Sequence, residues 1–361
     1  MRRREFIRKC VLSAAAVTTA PMLNFGRCRL SAAGTEREYS VRTVDLVGRS
    51  IVIDMLGLLT LDYTRLRNWH ADPSTFTKED FERLKQSGIR VFHPAVDLNS
   101  SDPHRSTRGW LEAWNTFLHA HSDRFLRVDT CADIEDARDS GRIGVVLGMQ
   151  NSEHFRTADD VAAFHALGQR VSQLTYNGYN RLGYGCTERR DLGLTAFGGE
   201  VVAAMNKTGM IVDVSHAGER TTLEAFEASN RPVLITHANC KTLTPHPRCK
   251  SDDVIREMAR QGGVMGITTI KAFVKQGDRA TVREALDHFD HAVRLVGPEH
   301  VGLGSDTDLE RRQADLDVTG LNHPRRVFDI AEGLLERRYK ETDIELILGG
   351  NFHRSLGKIL C

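Results

Sequence analysis

Two neighbouring stretches decide the fold: "GMIVDVSHAGERTT" (209–222) and "PVLITH" (232–237). The first opens on Gly209, runs through apolar residues of strand length, and stops at His216 just before Gly218. The second opens on Pro232, runs inward through Val233, Leu234 and Ile235, and stops at His237. One helical segment fits between them, so strand, helix and strand read as a parallel βαβ unit. A buried strand that ends on a histidine leaves three readings: a packed core side chain, a ligand, or a catalytic group.

The same unit repeats in both directions. Strand-like runs occur at "SIVID" (50–54), "GIRVFHPA" (88–95), "RIGVVLG" (142–148), "RVSQLTY" (170–176), "GGVMGIT" (262–268) and "HVGLGSD" (300–306), as well as the two above. They are rich in Val and Ile and often open on Gly or Pro, as buried parallel strands do. Between them, "TKEDFERLKQSG" (77–88), "TADDVAAFHALG" (157–168), "GGEVVAAMNKTG" (198–209) and "SDDVIREMARQGG" (251–263) carry an apolar stripe and a glycine stop. Eight such units in an α/β chain predict a (β/α)8 TIM barrel rather than an open sheet. No glycine fingerprint of the dinucleotide-binding kind follows the first strand. The tail "TDIELILGGNFHRSLGKIL" reads as helix, Gly-Gly turn and closing helix, and residues 34–361 are expected to form one domain.

The chain of 361 residues is 40% hydrophobic and 27% charged with a formal net charge of +1, the balance of a globular protein. Near-neutrality gives no electrostatic basis for nucleic acid or an anionic membrane as main partner. The amino terminus differs. "RRREFIRK" (2–9) precedes "CVLSAAAVTTAPMLNF" (10–25), an uncharged run broken by Pro21 and too short for a comfortable span. With small residues at Ser31-Ala32-Ala33, residues 1–33 read as a cleaved export signal, and the Arg3-Arg4 pair resembles the twin-arginine type. A periplasmic or secreted protein, without a lasting membrane span, is the expectation. Five cysteines follow that signal at irregular spacings, which is no disulfide framework and no thiolate zinc site, although a Cys240–Cys249 bridge is conceivable.

Barrels of this kind carry their chemistry at the carboxyl ends of the strands. Those ends give Asp54, His93, the Met149-Gln150-Asn151 segment, Tyr176-Asn177, His216, His237 and Asp306. Neighbouring strands lie about 4.8 Å apart, so His216 and His237 can converge on one ion. Two histidines with Asp306 make a set familiar for zinc or another first-row metal, while a single strand-end histidine is more often a structural group. Arg248, in the loop after His237, can grip a carboxylate through its planar fork or pin the loop to Asp252 or Asp253.

"LGLTAFGGEVVAAMNKTGMIVDVSHAGERT", "PVLITHANCKTLTPHPR", "HVGLGSDTD" and "DIELILGGNF" together resemble the membrane (renal) dipeptidase family of zinc peptidases, collinearly from about residue 50 to the end. The resemblance implies an amidohydrolase-like barrel that cleaves dipeptides with a metal-activated water. It implies that His216 and His237 bind metal, that Asp306 is the acid/base and that Arg248 holds the substrate's carboxylate. It also makes a homodimer reasonable. The departures fall together. Where the family's first strand runs into Asp-Gly-His-x-Asp, this chain has "VIDMLGLLT", with Leu56 and Leu58 at the ligand positions. The family's bridging glutamate falls at Met149 in the most direct alignment, beside Gln150, and its strand-four histidine is replaced by Tyr176. A paired-metal centre needs donors on both sides, so one zinc ion on His216 and His237 is expected. The expected activity is hydrolysis of a small peptide or amide, with Tyr176 supporting the developing oxyanion. A non-hydrolytic enzyme maturing an exported peptide-like metabolite and a silent binding barrel are the alternatives.

Overall fold

Each strand run seen in the sequence becomes a stave of one closed ring. The structure is a computed structural model, and it describes residues 26–32, 35–277, 279–310, 316 and 318–360. The expected export signal lies outside the described residues over 1–25 and 33. The described strands are β1 (Arg27–Ala32), β2 (Thr35–Ser40), β3 (Ile53–Asp54), β4 (Val91–Phe92), β5 (Ala95–Val96), β6 (Phe125–Arg127) and β7 (Ile143–Val145). They continue with β8 (Leu147–Met149), β9 (Gln169–Gln173), β10 (Ile211–Asp213), β11 (Ile235–Ala238), β12 (Met265–Ile267) and β13 (Val301–Leu303).

Parallel pairing carries the ring from β3 through β4 to β7, and from β5 through β8 and β9 to β10. Pro94, which lacks an N–H, separates β4 from β5 within one stave. Asp213 bridges to Leu234, whose N–H bonds Val212 O at 2.9 Å, which joins β10 to β11. β11, β12 and β13 then pair in turn, and Leu303 pairs with Asp54 to close the barrel. Two elements escaped the sequence pattern. β6 pairs with β7 outside the run of eight, and β1 and β2 form an antiparallel hairpin. That hairpin straddles residue 33, and Arg37 and Tyr39 tie it to Asp329 on the helix Arg326–Glu336.

Alternation along the staves sorts the core. Ile53, Val91, Val146, Val171, Ile211 and Leu234 face inward, where they meet Phe352, Leu356 and Ile359 of the closing helix Asn351–Leu360. That helix plugs the amino end of the barrel; a Cβ on Gly302 would lie 2.4 Å from the Phe352 ring. Burying one phenylalanine there stabilises the fold by about 2–3 kcal/mol. Helix starts follow the sequence signals: Thr77 and Asp80 form a capping box, and Ser251 accepts from the Val254 N–H. With the amino end plugged, the opposite rim is left for chemistry.

Candidate active site

Strand register brings His216 and His237 together at that rim, with their Nε2 atoms 3.1 Å apart and both rings buried. Hydrogen bonds behind each ring decide what those atoms offer. His216 Nδ1 lies 2.7 Å from Asn177 Oδ1, so it donates there and leaves Nε2 as a bare lone pair. The hydroxyl of Thr236 donates to Asp213 Oδ2 at 2.6 Å, which leaves its oxygen to accept His237 Nδ1–H at 2.9 Å. His237 Nε2 is therefore a lone pair as well. Asp213, itself buried, also accepts from the Ser215 N–H and hydroxyl and the Thr236 N–H, so the chain Asp213–Thr236–His237 is fixed along its length. Burial holds both imidazoles well below their usual range, reinforced by Arg248 nearby, and they stay neutral. Two lone pairs facing at this distance repel unless a cation or proton lies between them.

Two buried cations bracket the pair. Arg248 donates to Ser215 O and, at 2.9 Å, to His237 O, and its Nε–H is buried without a partner. It pairs with neither Asp252 nor Asp253: Asp252 takes Thr242 and His291, and Asp253 takes Arg256. Lys250 donates to Val214 O at 2.7 Å, Ala217 O at 2.8 Å and Thr222 Oγ1 at 3.2 Å. Burial, then the Arg248 charge, lowers its ammonium to about 7. Cys240 and Cys249 are free thiols that face the carbonyls of His288 and Phe273, so the conceivable bridge is not formed.

Tyr176 stacks on His216, with ring centroids 4.3 Å apart. Burial first, with the nearby Asp306 charge, pushes its phenol up to about 12, so it is a hydrogen-bond donor at neutral pH. Asp306 has φ of 60°, a left-handed conformation that aspartate tolerates better than most residues, and its N–H is held by Leu56 O at 2.8 Å. Such a backbone outlier beside the rim is characteristic of functional positions.

The far side of the same rim is largely apolar. Leu56 and Leu58 are buried, and Leu58 borders a small cavity with Tyr63, Leu66, Trp110 and Trp114. Parity corrects the alignment at strand β8. Val146 faces the axis, and a Cβ on Gly148 would meet His93, so Gln150 shares that face and Met149 turns outward beside Asp97 and Pro103. Gln150, with Nε2 donating to Ala95 O at 2.9 Å, is thus the side chain nearest in role to the missing glutamate. His93 donates Nδ1–H to Met55 O and belongs to the barrel interior. Among the described residues, no group of three or more His, Cys, Asp or Glu side chains is placed to hold an ion. His216 and His237 offer two imidazole donors toward one ion, one fewer than the three protein ligands usual at a catalytic zinc.

The profile of the membrane dipeptidase family (peptidase family M19) matches residues 41–360. The chain belongs to that family. Among curated relatives, an uncharacterized dipeptidase of Schizosaccharomyces pombe is 36% identical over 51% of this chain and 46% of its own length. Dipeptidase aclJ of Aspergillus oryzae is 31% identical over 78% of this chain and 69% of its own. Among solved structures, an amidohydrolase from Pseudomonas aeruginosa superposes with a TM-score of 0.77 at 27% identity, covering 88% of this chain and 98% of the other. A metallopeptidase from Rhodobacter sphaeroides, liganded with a phosphinate mimic of L-Ala-D-Ala, gives 0.75 at 20% identity and covers 86% and 99%; it bears on the fold alone. These results agree with the barrel expected from the strand runs and with the resemblance drawn from the motifs.

Asn177, Asp213, Thr236 and Lys250 complete the site and had no assigned role in the sequence reading. Asp213 carried a signal, standing as an acid inside an apolar strand. Lys250 did not, because a lysine in a loop reads as exposed.

Proposed function

We propose that this family member hydrolyses a small peptide or amide bearing a free carboxylate, with the reaction at the His216–His237 pair. The observation that carries this reading is the convergence of two neutral imidazole lone pairs, each fixed by a buried hydrogen-bond partner. A single divalent ion such as zinc, held by His216 and His237, would polarise the scissile carbonyl and acidify a water. Arg248 would hold the substrate's carboxylate, as in the family the chain belongs to, and its buried Nε–H is a donor left over for that role. Asp306 accepts the proton of the attacking water and returns it to the leaving amine. Tyr176 donates its phenolic proton to the developing oxyanion, a role its raised pKa keeps open at neutral pH. No helix among the described residues is long and apolar enough to cross a membrane. Export by the twin-arginine route, a periplasmic or secreted location and a homodimer complete the proposal.

The test combines metal stoichiometry with turnover of a dipeptide panel by the purified protein. One equivalent of zinc and hydrolysis that disappears in His216→Ala is the expected result. Two equivalents would refute the one-ion site. No metal and no turnover would leave a binding barrel. Metal without dipeptide turnover would favour a maturation enzyme.

A further inference from the structure

The turn Val214–Ala217 carries His216 beyond the end of β10 and has one backbone bond of its own, from the Ala217 N–H to Val214 O at 3.1 Å. Its carbonyls are held by separate donors. Ser215 O takes Arg248, His216 O takes the Cys186 N–H at 2.8 Å, and Val214 O and Ala217 O both take Lys250 Nζ. The Thr222 hydroxyl completes three oxygens around one ammonium. Lys250 has no carboxylate partner among the described residues, so its charge is met by carbonyl and hydroxyl dipoles, as a bound monovalent cation's would be. In the protonated form all three of its N–H bonds point at these oxygens, so the ammonium is spent on holding the turn. Lys250 also lines a cavity of about 570 Å³, with Cys186, Ala217, Cys249 and Ser251 in the same wall.

We propose that Lys250 is an internal monovalent cation that positions the His216 turn, and through it the lone pair that faces His237. The proposal rests on the His216–His237 pair as the reactive centre. Lys250 is a positioning residue and touches neither substrate nor reacting atoms. Removing its side chain leaves a carbonyl-lined hole that a small ammonium ion should refill. Filling the hole with an apolar chain of similar volume should leave the two carbonyls without their external donor and no room for rescue.

The experiment uses full-length Lys250→Ala and Lys250→Met, each followed by the side-chain ¹⁵N–¹H spectrum of His216 and His237 in metal-free protein and by zinc titration. Both variants should shift the His216 signals, spare those of the distant His154, and weaken zinc binding about 10–100-fold. Methylammonium should restore both signals and affinity in Lys250→Ala and neither in Lys250→Met, with tetramethylammonium inert throughout. An unshifted His216 spectrum in either variant, or a Lys250→Ala shift that methylammonium fails to reverse, overturns the proposal. If Lys250→Ala does not fold, Lys250→Met still decides through the His216 spectrum. Absence of turnover in the unaltered protein refutes the hydrolase reading alone, because the spectrum and its rescue do not depend on activity.

Discussion

The two halves of the barrel mouth are built on opposite principles. At the ends of β10 and β11, two imidazoles, one carboxylate, two hydroxyls and two buried cations are joined by hydrogen bonds within a few residues of one another. At the ends of β3 and β8, Leu56, Leu58 and a backbone-bonded Gln150 occupy the places where a second ion would need donors. The histidine side has its tautomer-fixing partners in place, with the Arg248 Nε–H left without one, while the leucine side packs as core. The difference supports the one-ion site proposed above.

The strongest challenge to that comparison is to remove one of its two imidazoles. His237→Ala deletes a lone pair and cuts off the Asp213–Thr236 chain behind it. Retained zinc should fall from one equivalent to none, and turnover should fall to background, as read by metal analysis and steady-state kinetics. Retained metal at full stoichiometry would move the centre away from the pair. Converting the other half comes next. Leu58→Asp places a carboxylate in the cavity bordered by Leu66, Trp110 and Trp114, which offers two unpartnered indole N–H groups but no cation to pair with it. A loss of about 3–5 kcal/mol in denaturant unfolding is expected, with no gain of a second zinc. A variant of unchanged stability that binds two ions would show that the leucine side remains a ligand frame.

Thr236→Val tests the support behind His237 at similar volume. It removes the acceptor for Nδ1–H and a donor to Asp213, so zinc affinity should weaken about 10–100-fold and stability fall by about 1–3 kcal/mol. The side-chain ¹⁵N spectrum should show His237 sampling both tautomers. Unchanged affinity with a single tautomer would mean that ring packing alone orients His237.

The ring of strands was legible because eight apolar runs, often opened by glycine or proline, repeat, and His216, His237, Tyr176, Arg248 and Asp306 stand at or beyond their ends. The absence of donors at Leu56 and Leu58 was legible too, since leucine cannot donate to an ion whatever its surroundings. Parity at β8 was not. Met149 and Gln150 are adjacent, and only the inward turn of Val146 and Gly148 shows which of them faces the axis. The hairpin β1–β2 fell where small residues suggested a cleavage site, and local composition does not report its pairing to Asp329. Lys250 was invisible for a different reason. Its burial depends on three oxygens contributed by residues 214, 217 and 222, which come together only when the β10 turn closes.

The smallest effect separates the two halves by acid. His216 and His237 are held neutral by burial, with folded-state pKa values far below the 6.5 of an exposed imidazole. Below pH 6.5 the unfolded chain takes up protons that the folded histidines refuse. The unfolded state then binds more protons, so stability falls as pH falls. Each such histidine contributes at most about 1.4 kcal/mol per pH unit to that slope. His154, buried and lowered to about 4, adds its own share away from the pair between pH 6.5 and about 4. In metal-free protein, denaturant unfolding between pH 6.5 and 5 should therefore show a slope that flattens by about one proton in His216→Gln. Leu58→Asn, on the other half, should lower stability equally at every pH in that window. Equal slopes in wild type and His216→Gln would mean that His216 is protonated in the folded state, and the lone-pair geometry assigned to it would fail.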